Sequence, residues 1–197
     1  MSASTAGRLR RVIGALPSER VALGSVIDAL GASGLGFCLL LFGLTALIPG
    51  IAPVFGVALC AVSIGMALGY DKPLLPGRMR QWQLDRGRLL AGLERLAPYV
   101  DRLERWLHLR RRSFPGGPGT RVIGLASLLN GVLIVLPIPF GNTAPAVAMI
   151  VLALGFIVGD GLAVAIGLAF TTLAFVLDVG LIFLGFTAVS ALLTSLF

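Results

Sequence analysis

Charged side chains are scarce in this sequence of 197 residues. Asp, Glu, Lys and Arg make up 13% of it, whereas 57% of the residues are hydrophobic. Ordinary soluble domains carry about 25% charged residues. The apolar content is too high for a disordered chain and the charge too low for a soluble one. We therefore expect an all-α integral membrane protein forming one membrane domain, 1–197.

Histidine and cysteine are also rare. The one histidine, His108, lies among arginines, and Cys38 and Cys60 lie in apolar runs. No Cys/His set has the spacing of metal ligands, no glycine-rich loop has the context of a nucleotide site, and no Ser/His/Asp set is present. We expect no enzymatic activity, no catalytic residues, no metal and no cofactor. The cysteines are predicted to be small buried hydrophobes.

Proline and glycine, by contrast, interrupt two long apolar blocks, 34–70 and 122–160. The first contains "LIPGIAPVFG" and the second "LPIPFGNTAP". Proline blocks helix propagation, so each block is predicted to be a broken helical hairpin. The legs 34–48 and 54–69 would be about 22–24 Å long, against about 30 Å for a hydrocarbon core. The hairpins therefore either re-enter the membrane from one side or form short spans.

The two blocks align with a shift of 90 residues. This shift places Pro49 over Pro139, and the pair Gly65 and Gly69 over the pair 155 and 159. Two extra residues in the second loop also align Pro53 with Pro145. The shared order predicts an internal repeat. The GxxxG pairs favour close helix packing, and a homodimer face is the alternative.

The two breaks are the candidate site. Non-helical backbone at membrane depth leaves polar groups unpaired unless it packs against protein or lines a wet cavity. Transporters use such interrupted helices to bind ions or solutes. The alternative is a tight turn near the far interface, with Asn142 and Thr143 capping the returning helix. The candidate residues are Pro49, Pro53, Asn130, Pro137, Pro139, Gly141, Asn142, Thr143 and Pro145.

A basic linker, 71–121, joins the blocks. Between Lys72 and Arg121 it has twelve Lys or Arg residues against four acids, and its leucines recur three and four apart. This pattern predicts an amphipathic helix that binds anionic lipid headgroups rather than nucleic acid. The positive-inside rule places the linker and the arginine-rich N-terminal amphipathic segment, 1–33, in the cytoplasm. Both hairpins would then be parallel copies that start and end on that side.

The tail, 161–197, is apolar except for Asp178. It is too long for one span, so we expect two C-terminal transmembrane helices turning near Asp178, or one span with a bent end. Asp160 and Asp178 are the acids that follow the linker. Acids at bilayer depth are functional by default, but both lie where turns are expected, which favours interfacial helix ends.

The stretch "LPIPFGNTAPAVAMIVLALGFIVGDG", the preceding arginine-rich linker and the first block resemble the ExoD family of bacterial membrane proteins. The resemblance implies a multi-pass protein of the bacterial inner membrane, linked to exopolysaccharide production or envelope stress. It implies no catalytic residues.

Two functions are consistent with these features. In the first, the protein is a small transporter or channel, a homodimer whose breaks bind an ion or small polar solute. In the second, it is a non-transporting accessory protein that regulates exopolysaccharide machinery through its linker.

Overall fold

The computed structural model describes residues 5–16, 18–30, 34–48, 50, 52–70, 72–75, 77–87, 90–91, 94, 97–98, 117–136 and 141–196. Eight helices and two short strands have described bounds, in the order α1 (Thr5–Gly14), β1 (Arg20–Ala22), α2 (Leu23–Leu30), α3 (Gly34–Ala46), α4 (Ala52–Leu68), α5 (Gly77–Arg80), β2 (Gln83–Asp85), α6 (Pro118–Val135), α7 (Thr143–Val158) and α8 (Gly161–Leu196).

The predicted all-α class is confirmed, apart from one small antiparallel ribbon that the sequence analysis missed. In this ribbon, Val21 of β1 pairs with Leu84 of β2. Two helices, α6 and the stretch Gly161–Thr187 of α8, are long and apolar enough to cross a membrane. Half of α6 is buried, but only a third of the most apolar stretch of α8 is. Most of the α8 surface therefore has no protein partner among the described residues.

Four helices of 13 to 18 residues form the core of the fold: α3, α4, α6 and α7. The break after α3 separates it from α4, and the break after α6 separates it from α7, as the prolines predicted. Helix α6 begins at Pro118, four residues before the predicted start of the second block, because proline is well suited to the first turn of a helix.

The second leg of each hairpin ends in the same way. The glycines Gly69 and Gly159 have positive φ angles of 90° and 75°. The next residue in each case, Tyr70 or Asp160, donates its backbone N–H to the carbonyl four residues before that glycine, at 2.9 Å. This is a Schellman helix end. The second glycine of each GxxxG pair therefore terminates a helix.

The hairpins pack crosswise, with the first leg of each against the second leg of the other. Gly36 and Gly43 of α3 face Ile157 and Met149 of α7, so these two helices are antiparallel. The glycines let the two backbones approach closely.

Helices α4 and α6 pack in the same sense. Gly56 of α4 faces Val135 of α6, and Met66 faces Gly124. Because α4 is antiparallel both to α3 and to α6, the two hairpins point the same way. Both breaks therefore lie at one end of the four-helix core.

The N-terminal helices, the ribbon and α5 form a layer that covers α3. Ile13 of α1 and Val26 of α2 are buried together with Phe37 of α3. Closer to the end of the core that carries the breaks, Trp82 packs edge-on against Phe55 of α4, with ring centroids 5.5 Å apart. We call this region the N-terminal layer. Its outer surface is charged.

Two exposed ion pairs lie on this charged surface. Arg10 pairs with Glu94 and Arg80 with Asp28, each at 2.6 Å. Residues 90, 91, 94, 97 and 98 are helical. The predicted leucine stripe itself, residues 89, 93, 96, 100, 103 and 107, lies outside the described residues.

The tail differs from its prediction. Residues Gly161–Leu196 form one continuous helix of 36 residues, so the two C-terminal transmembrane helices expected at 161–197 are wrong. Asp178 is the polar residue that suggested a turn, but it has no proline or paired glycines beside it. A single polar side chain does not interrupt a helix if it is sheltered by neighbouring protein.

Candidate functional site

Asp178 lies in the middle of α8 and is fully buried. Neither carboxylate oxygen has a hydrogen-bond partner within the described ranges. Burying an ionised carboxylate without a partner is strongly unfavourable, so such groups usually bind something or carry a proton. This burial contradicts the expectation that Asp178 is an interfacial helix end.

A cleft of about 550 Å³ lies between α8 and the start of α7, and Asp178 is part of its wall. Thr143, Ala144 and Val147 line it from α7. The α8 side is otherwise apolar. Its lining residues on that helix are Phe170, Leu173, Ala174, Val176, Leu177, Asp178, Gly180, Leu181 and Leu184. The cleft therefore combines one carboxylate and one hydroxyl with an apolar wall.

The helix register places Asp178 beside the second break. Gly155 of α7 faces Val164 of α8, and Leu152 faces Gly167, so these helices are antiparallel. Continued at the same rise, this register puts Asp178 level with Gly141. Gly141 and Pro145 are both buried. The structure thus brings the second break and the C-terminal aspartate together.

Asn142 is the residue at the N-cap position of α7, yet its side chain makes no capping hydrogen bond. Its amide oxygen, Oδ1, is buried and has no partner in the described part of the chain. The alternative in which Asn142 simply caps the returning helix is therefore wrong for its side chain. The first backbone N–H groups of α7 supply positive potential at this end of the cleft.

Asn130 is not part of the lining of this cleft, although its partner Thr171 is next to the lining residue Phe170. Its Nδ2 group donates to Thr171 Oγ1 at 2.8 Å and to the Ala126 carbonyl at 3.0 Å. The hydrogen bond to Thr171 joins α6 to α8. The amide oxygen of Asn130 has no partner among the residues described, and neither do the hydroxyls of Ser63 and Ser127.

Asp160 is a helix cap, as its position in a turn predicted. Its carboxylate accepts hydrogen bonds from the backbone N–H groups of Leu162 at 2.9 Å and Ala163 at 3.3 Å. These are two of the N–H groups that the first turn of α8 leaves unpaired. Asp160 is thus satisfied structurally, in contrast to Asp178.

Of the predicted solute-binding residues that the structure describes, Thr143 is the one that lines the cleft. Pro49, Pro137 and Pro139 lie outside the described residues. Pro53 is exposed at the start of α4, and the lining of the cleft includes no residue of the first break. Among the described residues, the cleft therefore adjoins the second break and not the first.

Sequence reasoning missed Thr171, Ser63 and Ser127. One signal could have found Thr171: it precedes Asp178 by seven residues, which is two helical turns, in an otherwise apolar helix. The two serines gave no such signal, because small hydroxyl residues are common in apolar helices.

Comparison with known proteins identifies the family. The family model described as "Exopolysaccharide synthesis, ExoD" matches residues 5–180. Protein ExoD of Rhizobium meliloti (strain 1021) is 32% identical over 175 residues, which cover 85% of this chain and 72% of that protein. An uncharacterized protein of Synechocystis is 30% identical over 149 residues, covering 70% of this chain and 66% of that protein. No solved structure matches.

The match extends from the start of α1 to Gly180, and it includes both hairpins and all the lining residues of the cleft except Leu181 and Leu184. The chain therefore belongs to the ExoD family, whose description links it with exopolysaccharide synthesis.

Proposed function

We propose that this protein is a small transporter or channel of the bacterial inner membrane, and that its second break binds an ion or small polar solute at membrane depth. In this proposal the hairpins are two copies of one unit that re-enter the membrane from the cytoplasmic side. The transport contributes to exopolysaccharide production in this proposal. The family description supports the link with exopolysaccharide synthesis.

The observation that carries this proposal is that α8 continues well beyond the level of the second break. Asp178 is the eighteenth of its 36 residues, and it is level with the break. Residues 179–187 are all exposed, including Phe183 at 68% and Phe186 at 73%. A helix that is apolar on every side is stable in lipid and not in water. The exposed apolar surface of α8 on both sides of Asp178 supports a position of the break inside the hydrocarbon.

The N-terminal layer supports the same depth. It covers α3 and contacts Phe55, in the first turn of α4, through Trp82, while its charged outer face carries the Arg80–Asp28 ion pair. Charged side chains of this kind belong at a membrane surface. Part of each hairpin would then be below the hydrocarbon, and the short legs reach only part of the way across.

Parallel packing of the hairpins supports the repeat. The α3–α7 and α4–α6 pairs are antiparallel with nearly the same register, and α4 and α7 both end in a Schellman motif. Two copies related by an axis along the membrane normal would show this arrangement. The arginines of the layer and linker orient both hairpins from the cytoplasm.

The chemistry of the site follows from its free polar groups. The Asn142 amide oxygen, the Asp178 carboxylate and the first N–H groups of α7 lie at the second break, and each would replace water around a polar solute. The apolar wall of the cleft keeps bulk water and lipid headgroups away.

The proposal is tested with the purified full chain in liposomes. Uptake of potassium chloride, glycerol and glucose is followed by light scattering under iso-osmotic conditions. We expect the wild-type protein to raise uptake of at least one of these above empty liposomes. Asn142→Leu should abolish that uptake, because leucine removes the buried amide and fills the break.

Thr172→Leu is the matched control. Thr172 is exposed and its hydroxyl bonds only to the Leu168 carbonyl of its own helix, so uptake should be unchanged. Helix content and monodispersity in detergent verify that each variant folds. Equal uptake by wild type and Asn142→Leu, or no uptake of any of the three probes, would favour the accessory function.

A further inference from the structure

Asp160 and Asp178 are the only ionisable side chains between residues 122 and 197. The Asp160 carboxylate accepts hydrogen bonds from two backbone N–H groups. Asp178 is the unpaired acid, and both its oxygens are buried in the wall of the cleft. The two acids of this part of the chain therefore have different roles.

No charged group faces Asp178 from the helices packed around it. Helix α7 has no ionisable residue, and α6 has only Arg121, at the end opposite the break. Residues 137–140 read Pro-Ile-Pro-Phe, which adds no ionisable side chain. An ionised Asp178 would have no counter-charge in this environment, whereas a protonated one needs none.

The lining of the cleft favours a proton over a metal cation. Hard metal cations take about six or more oxygen ligands. Besides Asp178, the cleft offers one side-chain oxygen, that of Thr143. A proton requires a single carboxylate oxygen. The ionised form, produced when the proton leaves, is stabilised by the positive end of α7.

A line of buried polar groups leads from Asp178 toward the end of the core opposite the breaks. Thr171 is two turns before Asp178 on α8, and it accepts a hydrogen bond from Asn130. Ser127 precedes Asn130 by one turn, and the α4–α6 register places Ser63 opposite Ser127. The hydroxyls of Ser63 and Ser127 and the amide oxygen of Asn130 lack partners in the described structure, so each can form a further hydrogen bond.

We infer that Asp178 is a proton-binding residue, and that transport through the second break is linked to proton movement between the cleft and this polar line. The inference rests on the proposed function, since it names the ion that the break serves. The step is a simple exchange: one carboxylate oxygen takes a proton from water on one side and releases it on the other.

The test measures protons directly. The full chain is reconstituted in liposomes that contain the pH-sensitive dye pyranine, and a potassium gradient with valinomycin makes the lumen negative. We expect the wild type to acidify the lumen faster than empty liposomes do. Asp178→Asn should reduce this rate to that of empty liposomes, because an amide cannot carry the proton.

Asp160→Asn is the matched control, as it makes the same change at the other acid while keeping a capping oxygen. Its rate should equal that of the wild type. Acidification by Asp178→Asn at the wild-type rate would overturn the inference while leaving the proposed function intact. A wild-type rate no faster than empty liposomes would also overturn it, and uptake of the potassium chloride, glycerol and glucose probes then decides the proposed function separately.

Infrared spectroscopy keeps the inference testable if Asp178→Asn fails to fold. Exposed aspartates and glutamates are ionised at neutral pH. We therefore expect the wild-type protein in lipid to retain one protonated carboxyl band at neutral pH, and Asp178→Glu to shift it. A wild-type spectrum without such a band would contradict proton binding by Asp178.

Discussion

At the scale of single residues, the two aspartates of the C-terminal region show how context decides the role of a side chain. The sequence predicts that both aspartates lie in turns. Asp160 follows the left-handed Gly159 and precedes α8, and this local pattern is sufficient to predict a cap. Asp178 has no local signal, because its burial depends on α7, which is distant in sequence. The cap was predictable and the cleft was not.

The role of Asp160 gives a stability prediction. Asp160→Ala should lower the free energy of unfolding by about 1 kcal/mol, since two N–H groups of α8 lose their acceptor. Asp160→Asn should lower it by a few tenths of a kcal/mol at most, because Asn caps helices about as well as Asp. Unfolding by denaturant titration in detergent measures both. Equal stability of Asp160→Ala and the wild type would contradict the capping role.

At the scale of elements, prolines and glycines made the hairpins predictable. Proline positions indicated where α3 and α6 end, and the GxxxG pairs marked the ends of α4 and α7. The crosswise pairing of the hairpins was not predictable, because contacts between distant helices leave no periodic signal in one sequence. The ribbon was missed for the same reason, as three-residue strands depend wholly on pairing across the chain.

The α4–α6 contact gives a packing prediction. A Cβ atom at Gly124 would lie 2.6 Å from the backbone nitrogen of Ala67, which cannot move aside as a side chain can. Gly124→Ala should therefore destabilise the protein by about 1–3 kcal/mol, the usual cost of overpacking.

Gly180→Ala is the matched control for this contact. Position 180 is in a helix interior and has no atom within 4 Å of an added Cβ. Alanine is favoured over glycine in helices by about 1 kcal/mol, so this variant should be as stable as the wild type or more so. If Gly124→Ala matched Gly180→Ala in thermal unfolding, the close approach of α4 and α6 would be wrong.

At the scale of the whole molecule, the fold has two unlike sides. The N-terminal layer covers α3 with a charged outer surface, whereas α8 is largely apolar, with only a third of its most apolar stretch buried and with residues 179–187 all exposed. The breaks lie together at one end of the four-helix core, and α8 continues about 27 Å past them at the rise of an α-helix. In the proposed function, this asymmetry is the reason that the second break, with Asp178 beside it, would lie within the lipid.

The depth of the second break is therefore the most direct test. In a protein with Cys38 and Cys60 replaced by alanine, a bimane label is attached at Thr143→Cys or, as the lipid-facing reference, at Phe183→Cys. We predict that lipids brominated on the acyl chain quench both labels, and that aqueous iodide quenches the label at position 143 only. Quenching of the position 143 label by iodide but not by brominated acyl chains would place the break in bulk water and contradict the account.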